Sequence, residues 1–135
     1  AEAIKRYQNR ISGPLLDRID LHIDVPPLHA SELQDTQAVE DSATVRERVI
    51  QAYKWQMQRQ ACLNMALSPK QLEQFAPLDG QAALIFEKAQ QRLNLSARGY
   101  HRILRVARTI ADLAQSEQIQ TGHLTEALSY RGQHH

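Results

Sequence analysis

The chain has 135 residues, enough for one ordinary domain, or one domain plus a piece of another, and long enough to bury a core. With 16 Lys+Arg against 15 Asp+Glu the net charge is +1, so no global field argues for nucleic acid, and a single cysteine, Cys62, excludes an intrachain disulfide framework. No apolar run reaches the roughly 20 residues of a membrane span and the opening AEAIKRYQNR is no signal peptide, so the expected setting is the cytoplasm, away from membranes.

Residues 2–10 have helical composition, broken at Ser12-Gly13-Pro14. Pro14 suits a first helical position and predicts a short turn through Asp17. Ile19, Leu21, Ile23 and Val25 then alternate with Asp20, His22 and Asp24, the period of a half-buried strand, which Pro26-Pro27 stop. Arg18 is thereby held at the entry to that strand. Residues 28–41 show no clear period and read as a linker or exposed loop.

From there the pattern is helical. Ser42 is the expected N-cap of a long helix to about Leu63, and Ser68-Pro69 opens PKQLEQFA. Asp79 caps GQAALIFEKAQQRL, Ser96 caps ARGYHRILRVARTIADLAQ, and Thr121 caps the last helix. Five helices with short connections predict a small α bundle. One strand cannot make a stable sheet, so the chain reads as a fragment whose strand pairs with something outside it. His134 and His135 are native or the remains of a tag, and two terminal histidines are weak evidence for a metal.

The arginines carry the chemistry. Arg92, Arg98, Arg102, Arg105, Arg108 and Arg131 crowd the last third, answered nearby by Glu87, Asp112, Glu117 and Glu126. On the fourth of the five helices Tyr100, Ile103, Ala107, Ile110 and Ala114 form a core stripe, flanked by Leu104, Val106 and Ala111. Arg98, Arg102 and Arg105 fall opposite it, with Arg108 to one side. They are either a solvated face or an anion-binding ridge. Arg98 is best placed for phosphate, because a first turn offers free N–H groups and a favourable dipole. His22 with Asp20 and Asp24 has the spacing of a ligand trio, yet such residues are ordinarily solvated or packed, and no metal site is expected. Cys62 reads as a small packed hydrophobe, and Tyr53, Trp55 and Met57 as helix-packing residues ahead of the alternative, contact with a partner. No G-x-x-x-x-G-K-[ST] phosphate loop occurs, and no apolar run ends in Asp-Glu, so the chain holds no complete active site.

SGPLLDRIDLHIDVP and SARGYHRILRVARTIADL, with the closing HLTEALSYR, resemble the magnesium-chelatase-like AAA+ ATPases, most closely their bacterial competence-protein branch. The resemblance covers nearly the whole chain. It implies a mainly α fold, the C-terminal helical lid bundle, preceded by the last helix and strand of the α/β AAA+ core. On that reading residues 1–27 end the core, 28–41 are linker, 42–132 are the lid and 133–135 are a tail or tag remnant. It implies that Arg18, in Asp17-Arg18-Ile19-Asp20, matches the arginine finger, which related replicative helicases carry in Ser-Arg-Phe-Asp. The role of Asp17 is unaccounted for. Arg98, in Ser96-Ala97-Arg98, matches the sensor 2 arginine, with Arg102 and Arg105 as further choices.

The implied activity is ATP hydrolysis, with ATP and Mg2+ bound by the full-length protein and no cofactor expected for the fragment, which should be inactive alone. The implied partners are neighbouring subunits of a homo-oligomeric ring, a hexamer as the usual case, and DNA for the full-length protein. The leading expectation is a DNA helicase or branch-migration motor of natural transformation. A magnesium chelatase motor is the second expectation, and a non-enzymatic helical nucleic-acid-binding module the third.

Overall fold

The computed structural model describes residues 1–16, 18–34 and 39–131. Asp17, His134 and His135, on which expectations were placed above, lie outside the described residues. Along the chain run α1 (Glu2–Gln8), α2 (Gly13–Leu16), α3 (Ala30–Leu33), α4 (Ser42–Gln60), a 3-10 turn (Asn64–Ala66), α5 (Pro69–Phe75), α6 (Gly80–Leu93), α7 (Ala97–Leu113) and α8 (Thr121–Ser129). The fold is mainly helical, as the resemblance implies.

Helix ends follow local hydrogen-bonding chemistry. Asp41, not Ser42, caps α4 by accepting from the Thr44 N–H at 2.8 Å. That bond holds the Asp41 carboxyl below its ordinary pKa of 3.8. Helix α4 stops at Gln60 rather than Leu63, because Ala61 turns left-handed at φ 61°. Ser68 and Gln71 close a capping box on α5. Ser96 caps α7 by accepting from the Gly99 N–H at 3.1 Å. Asp79 stands at the N-cap of α6 without bonding through its side chain, and Gln120, one residue before Thr121, is the cap of α8.

The core is α7 with its neighbours. Leu67, Leu72, Phe86, Leu104, Ala107, Ala111, Ile119 and Leu124 are buried around it. The buried face runs through Ile103, Leu104, Ala107, Arg108, Ala111 and Asp112, so it is rotated from the expected stripe, and Ala114 is exposed. Cys62 packs against this core as expected. Trp55 is half-buried, but Tyr53 and Met57 do not pack as expected: they are exposed, with Val45, Val49 and Ile50, on a helix that buries only Ala52 and Gln56.

The expected strand is also corrected. Residues 19–25 form no β-ladder, and among the described residues there is no strand. The physical reason is the one anticipated: a strand without a neighbouring strand has no ladder to join. Instead the segment lies on the bundle, the His22 N–H donating to the Tyr130 carbonyl at 2.8 Å. Ile23 and Val25 stay exposed, Val25 at 81%. Within residues 28–41 one helical turn, α3, forms, and Glu40 pairs with Arg48 of α4.

Candidate functional site

The segment from Arg18 to Ile23 and the outer face of α7 enclose a groove of about 550 Å³. Arg18, Arg98, Arg102 and Arg105 all line it, with Asp20, Glu126 and Tyr130 among the polar groups beside them. The four arginines singled out in sequence, 80 residues and more apart from first to last three, thus meet in one place. Glu126 raises the Tyr130 hydroxyl above its ordinary pKa, first through its charge, so the group stays a protonated donor.

The four differ in what their guanidinium groups already do. Arg105 donates from Nε and Nη2 to the Leu67 carbonyl, at 3.1 and 2.9 Å. It ties α7 to the chain entering α5, so its fork is occupied. Arg102 is half-buried and its Nη1 is a buried donor with no partner. A buried unsatisfied donor costs on the order of 1–3 kcal/mol. Arg18 and Arg98 are exposed, and neither joins any ion pair among the described residues. The Arg98 backbone sits in the first turn of α7, just behind the Ser96 cap. Arg98, Arg18 and Arg102 are therefore the arginines free to take an anion, and Arg105 is the least free.

The ligand trio does not assemble. Asp20 lines the groove, but among the described residues no group of three His, Cys, Asp or Glu is placed to hold a metal. Mg2+, which the resemblance implies for the whole protein, finds no ligand set among the described residues. Among the described residues, no helix is long and apolar enough to cross a membrane.

The site that sequence reasoning missed lies behind the groove, at the joint of α4 and α7. Asp112, with none of its side chain exposed, accepts from Arg59 Nη1 at 2.8 Å and Nη2 at 3.1 Å. It also accepts from Arg108 Nε at 3.1 Å and Asn64 Nδ2 at 3.0 Å. Arg108 is 2% exposed and spends its remaining donors on the Ser116 and Glu117 carbonyls, at 2.7 and 2.9 Å. Burial pushes the Arg108 pKa below its ordinary value, while the Asp112 charge pulls it back up. Asn64 carries the network onward to Thr109, Gln60 and Gln56. Arg108 was placed to one side of an arginine ridge; it is a buried structural cation. The available signal was its position between Ala107 and Ala111, with an acid four residues on.

Comparison with known proteins follows the same division of the chain. The family model described as magnesium chelatase, subunit ChlI C-terminal, matches residues 39–131, and the model described as magnesium chelatase, subunit ChlI, matches residues 1–33. The chain is 49% identical over 131 residues to the competence protein ComM of Haemophilus influenzae, covering 96% of this chain and 26% of that protein. It is 44% identical over 131 residues to the uncharacterized protein YifB of Escherichia coli, with the same coverage of 96% and 26%. An uncharacterized protein of Mycobacterium tuberculosis is 33% identical over 132 residues, 94% of this chain and 26% of that protein. The chain spans about a quarter of the length of these relatives.

Proposed function

This chain belongs to the magnesium chelatase family, and from that premise we propose that it is the C-terminal part of a ComM-like AAA+ ATPase, supplying arginines to ATP hydrolysis in a ring-shaped motor. The observation that supports the reading is that Arg18 and Arg98 are exposed and join no ion pair among the described residues, so each guanidinium is free to meet an anion. Phosphoryl transfer gathers negative charge on the γ-phosphate oxygens, and a planar guanidinium that is always protonated meets that charge with paired donors.

Arg98, at the N-terminus of α7, contacts the nucleotide of its own subunit and couples its presence to the position of the lid. Arg18 reaches the nucleotide of the neighbouring subunit, which makes a closed ring, a hexamer in the usual case, the active form. Arg102 lies one turn beyond Arg98 and is the second ligand. The phosphate loop and the acid that activates water belong to the part of the protein preceding this chain. The 49% identity to a competence protein favours DNA as the polymer on which the motor works, in branch migration during natural transformation, over insertion of magnesium into a porphyrin.

The test is ATP binding and DNA-stimulated ATPase activity of the full-length protein carrying Arg18→Ala or Arg98→Ala. Arg18→Ala should abolish turnover, by on the order of 10³-fold or more, and leave ATP affinity within a few fold. Arg98→Ala should weaken both. Equal loss of binding and turnover in Arg18→Ala would make that arginine structural and overturn the assignment.

A further inference from the structure

Helix α4 is fixed to α7 by polar groups rather than by the apolar core. It buries only Ala52 and Gln56, and neither belongs to the core cluster around α7. The attachment lies at its C-terminal end. Gln56 Oε1 accepts from the Asn64 N–H at 2.9 Å, while Gln60 Nε2 and Arg59 Nη2 donate to Asn64 Oδ1 at 2.8 and 3.1 Å. Asn64, 2% exposed, passes this on to α7: its Nδ2 donates to Thr109 Oγ1 and to Asp112 Oδ2, both at 3.0 Å. Arg59 also reaches Asp112 directly with both terminal nitrogens.

Such a joint fixes more than apolar packing would. Apolar attraction has no direction, so two apolar faces can slide past each other. Hydrogen bonds weaken steeply off their axis, and a guanidinium fork on a carboxylate holds both distance and angle. Both Asp112 oxygens and both Asn64 side-chain polar atoms are engaged, so a slide or a rotation of α7 breaks several bonds together.

We propose that Arg59 is a positioning residue for Arg98: through Asp112 it sets the rotation and tilt of α7, and so the aim of the arginine in that helix's first turn. The proposal rests on the nucleotide role given to Arg98 above and adds the element that directs it. Arg98 and Asp112 stand about four turns apart on α7, about 21 Å along its axis. A helix of that length carries a displacement at one end to the other. Arg59 is not among the residues lining the arginine groove, and over about 20 Å its charge is screened, the Debye length being about 8 Å at physiological salt. An effect of Arg59 on a bound phosphate therefore passes through α7.

The test is a double-mutant cycle on the full-length protein, with the dissociation constant for ATP measured for Arg59→Ala, Arg98→Ala and the pair. Arg59→Ala is used rather than Asp112→Ala because Asp112 then keeps Arg108 as a partner, and circular dichroism checks that the variant is folded. Loss of stability alone would leave the affinity of the folded protein unchanged. Arg59→Ala should weaken ATP binding about threefold or more, and the pair should bind within about twofold of Arg98→Ala alone, since an arginine already misdirected has little left to lose. Wild-type affinity in Arg59→Ala, or losses that multiply in the pair, would overturn the proposal and leave the nucleotide role of Arg98 standing. Wild-type affinity in Arg98→Ala would overturn both.

Discussion

Asp112→Ala is the substitution that should damage the lid most for its size. Asp112 is wholly buried and receives four hydrogen bonds of 2.8–3.1 Å from Arg59, Arg108 and Asn64. Truncating it leaves Arg108, 2% exposed, with only the Ser116 and Glu117 carbonyls. Removing one partner of a buried ion pair costs about 3–5 kcal/mol, because the other charge stays desolvated. A domain of this size is stable by about 5–15 kcal/mol, so the loss is a large share of the total. With a urea slope of about 2 kcal/mol/M, the unfolding midpoint should fall by about 2 M with the slope unchanged. Arg59→Ala should cost about 1 kcal/mol, since its side chain is 25% exposed and Asp112 keeps Arg108 as a partner. Replacing both members, Arg108→Met with Asp112→Leu, should recover most of the loss. A midpoint for Asp112→Ala within about 0.5 M of wild type, or equal to that of Arg59→Ala, would refute the claim that this acid joins α4 to α7.

Two further outcomes follow from the groove and the caps. Arg105→Ala should lower stability by about 1–2 kcal/mol in the same urea titration, because the Leu67 carbonyl loses both its donors, whereas Arg98→Ala should change it by less than about 0.5 kcal/mol. The Asp41 cap is pH-dependent: its folded pKa is depressed by the Thr44 N–H, so its stabilisation is complete above the ordinary carboxylate range and is lost as pH falls through the depressed value. The Thr44 amide should therefore keep its capped chemical shift through the ordinary carboxylate range and lose it only below that range.

Much of the fold was legible because helix boundaries are local. Ser68 and Ser96 act through residues three positions on, and both caps stand where the sequence placed them. Asp41 and Gln120 displaced the expected caps by one residue each, a shift that spacing alone does not decide. What escaped were long-range choices. The Arg59–Asp112 pair spans 53 residues, and nothing in either helix names the other. For the same reason the alternation of residues 19–25 promised a strand that requires a partner from elsewhere, and the segment settled on α8 through His22 instead. The arginines that line the groove stand out in the sequence, but what each already holds does not. The Leu67 carbonyl sets Arg105 apart from Arg98, and burial against Asp112 sets Arg108 apart from both.

The central claim is that Arg18 serves a neighbour's nucleotide while Arg98 serves its own. Mixed rings of the full-length protein test it most directly. One subunit carries Arg18→Ala with an intact phosphate loop, and the other carries Arg18 with its phosphate loop inactivated. Each variant alone should be inert, and their mixture should regain ATPase activity wherever an intact loop faces an intact Arg18. Activity that stays absent in rings shown to be mixed would contradict the account, and would place Arg18 in the service of its own subunit.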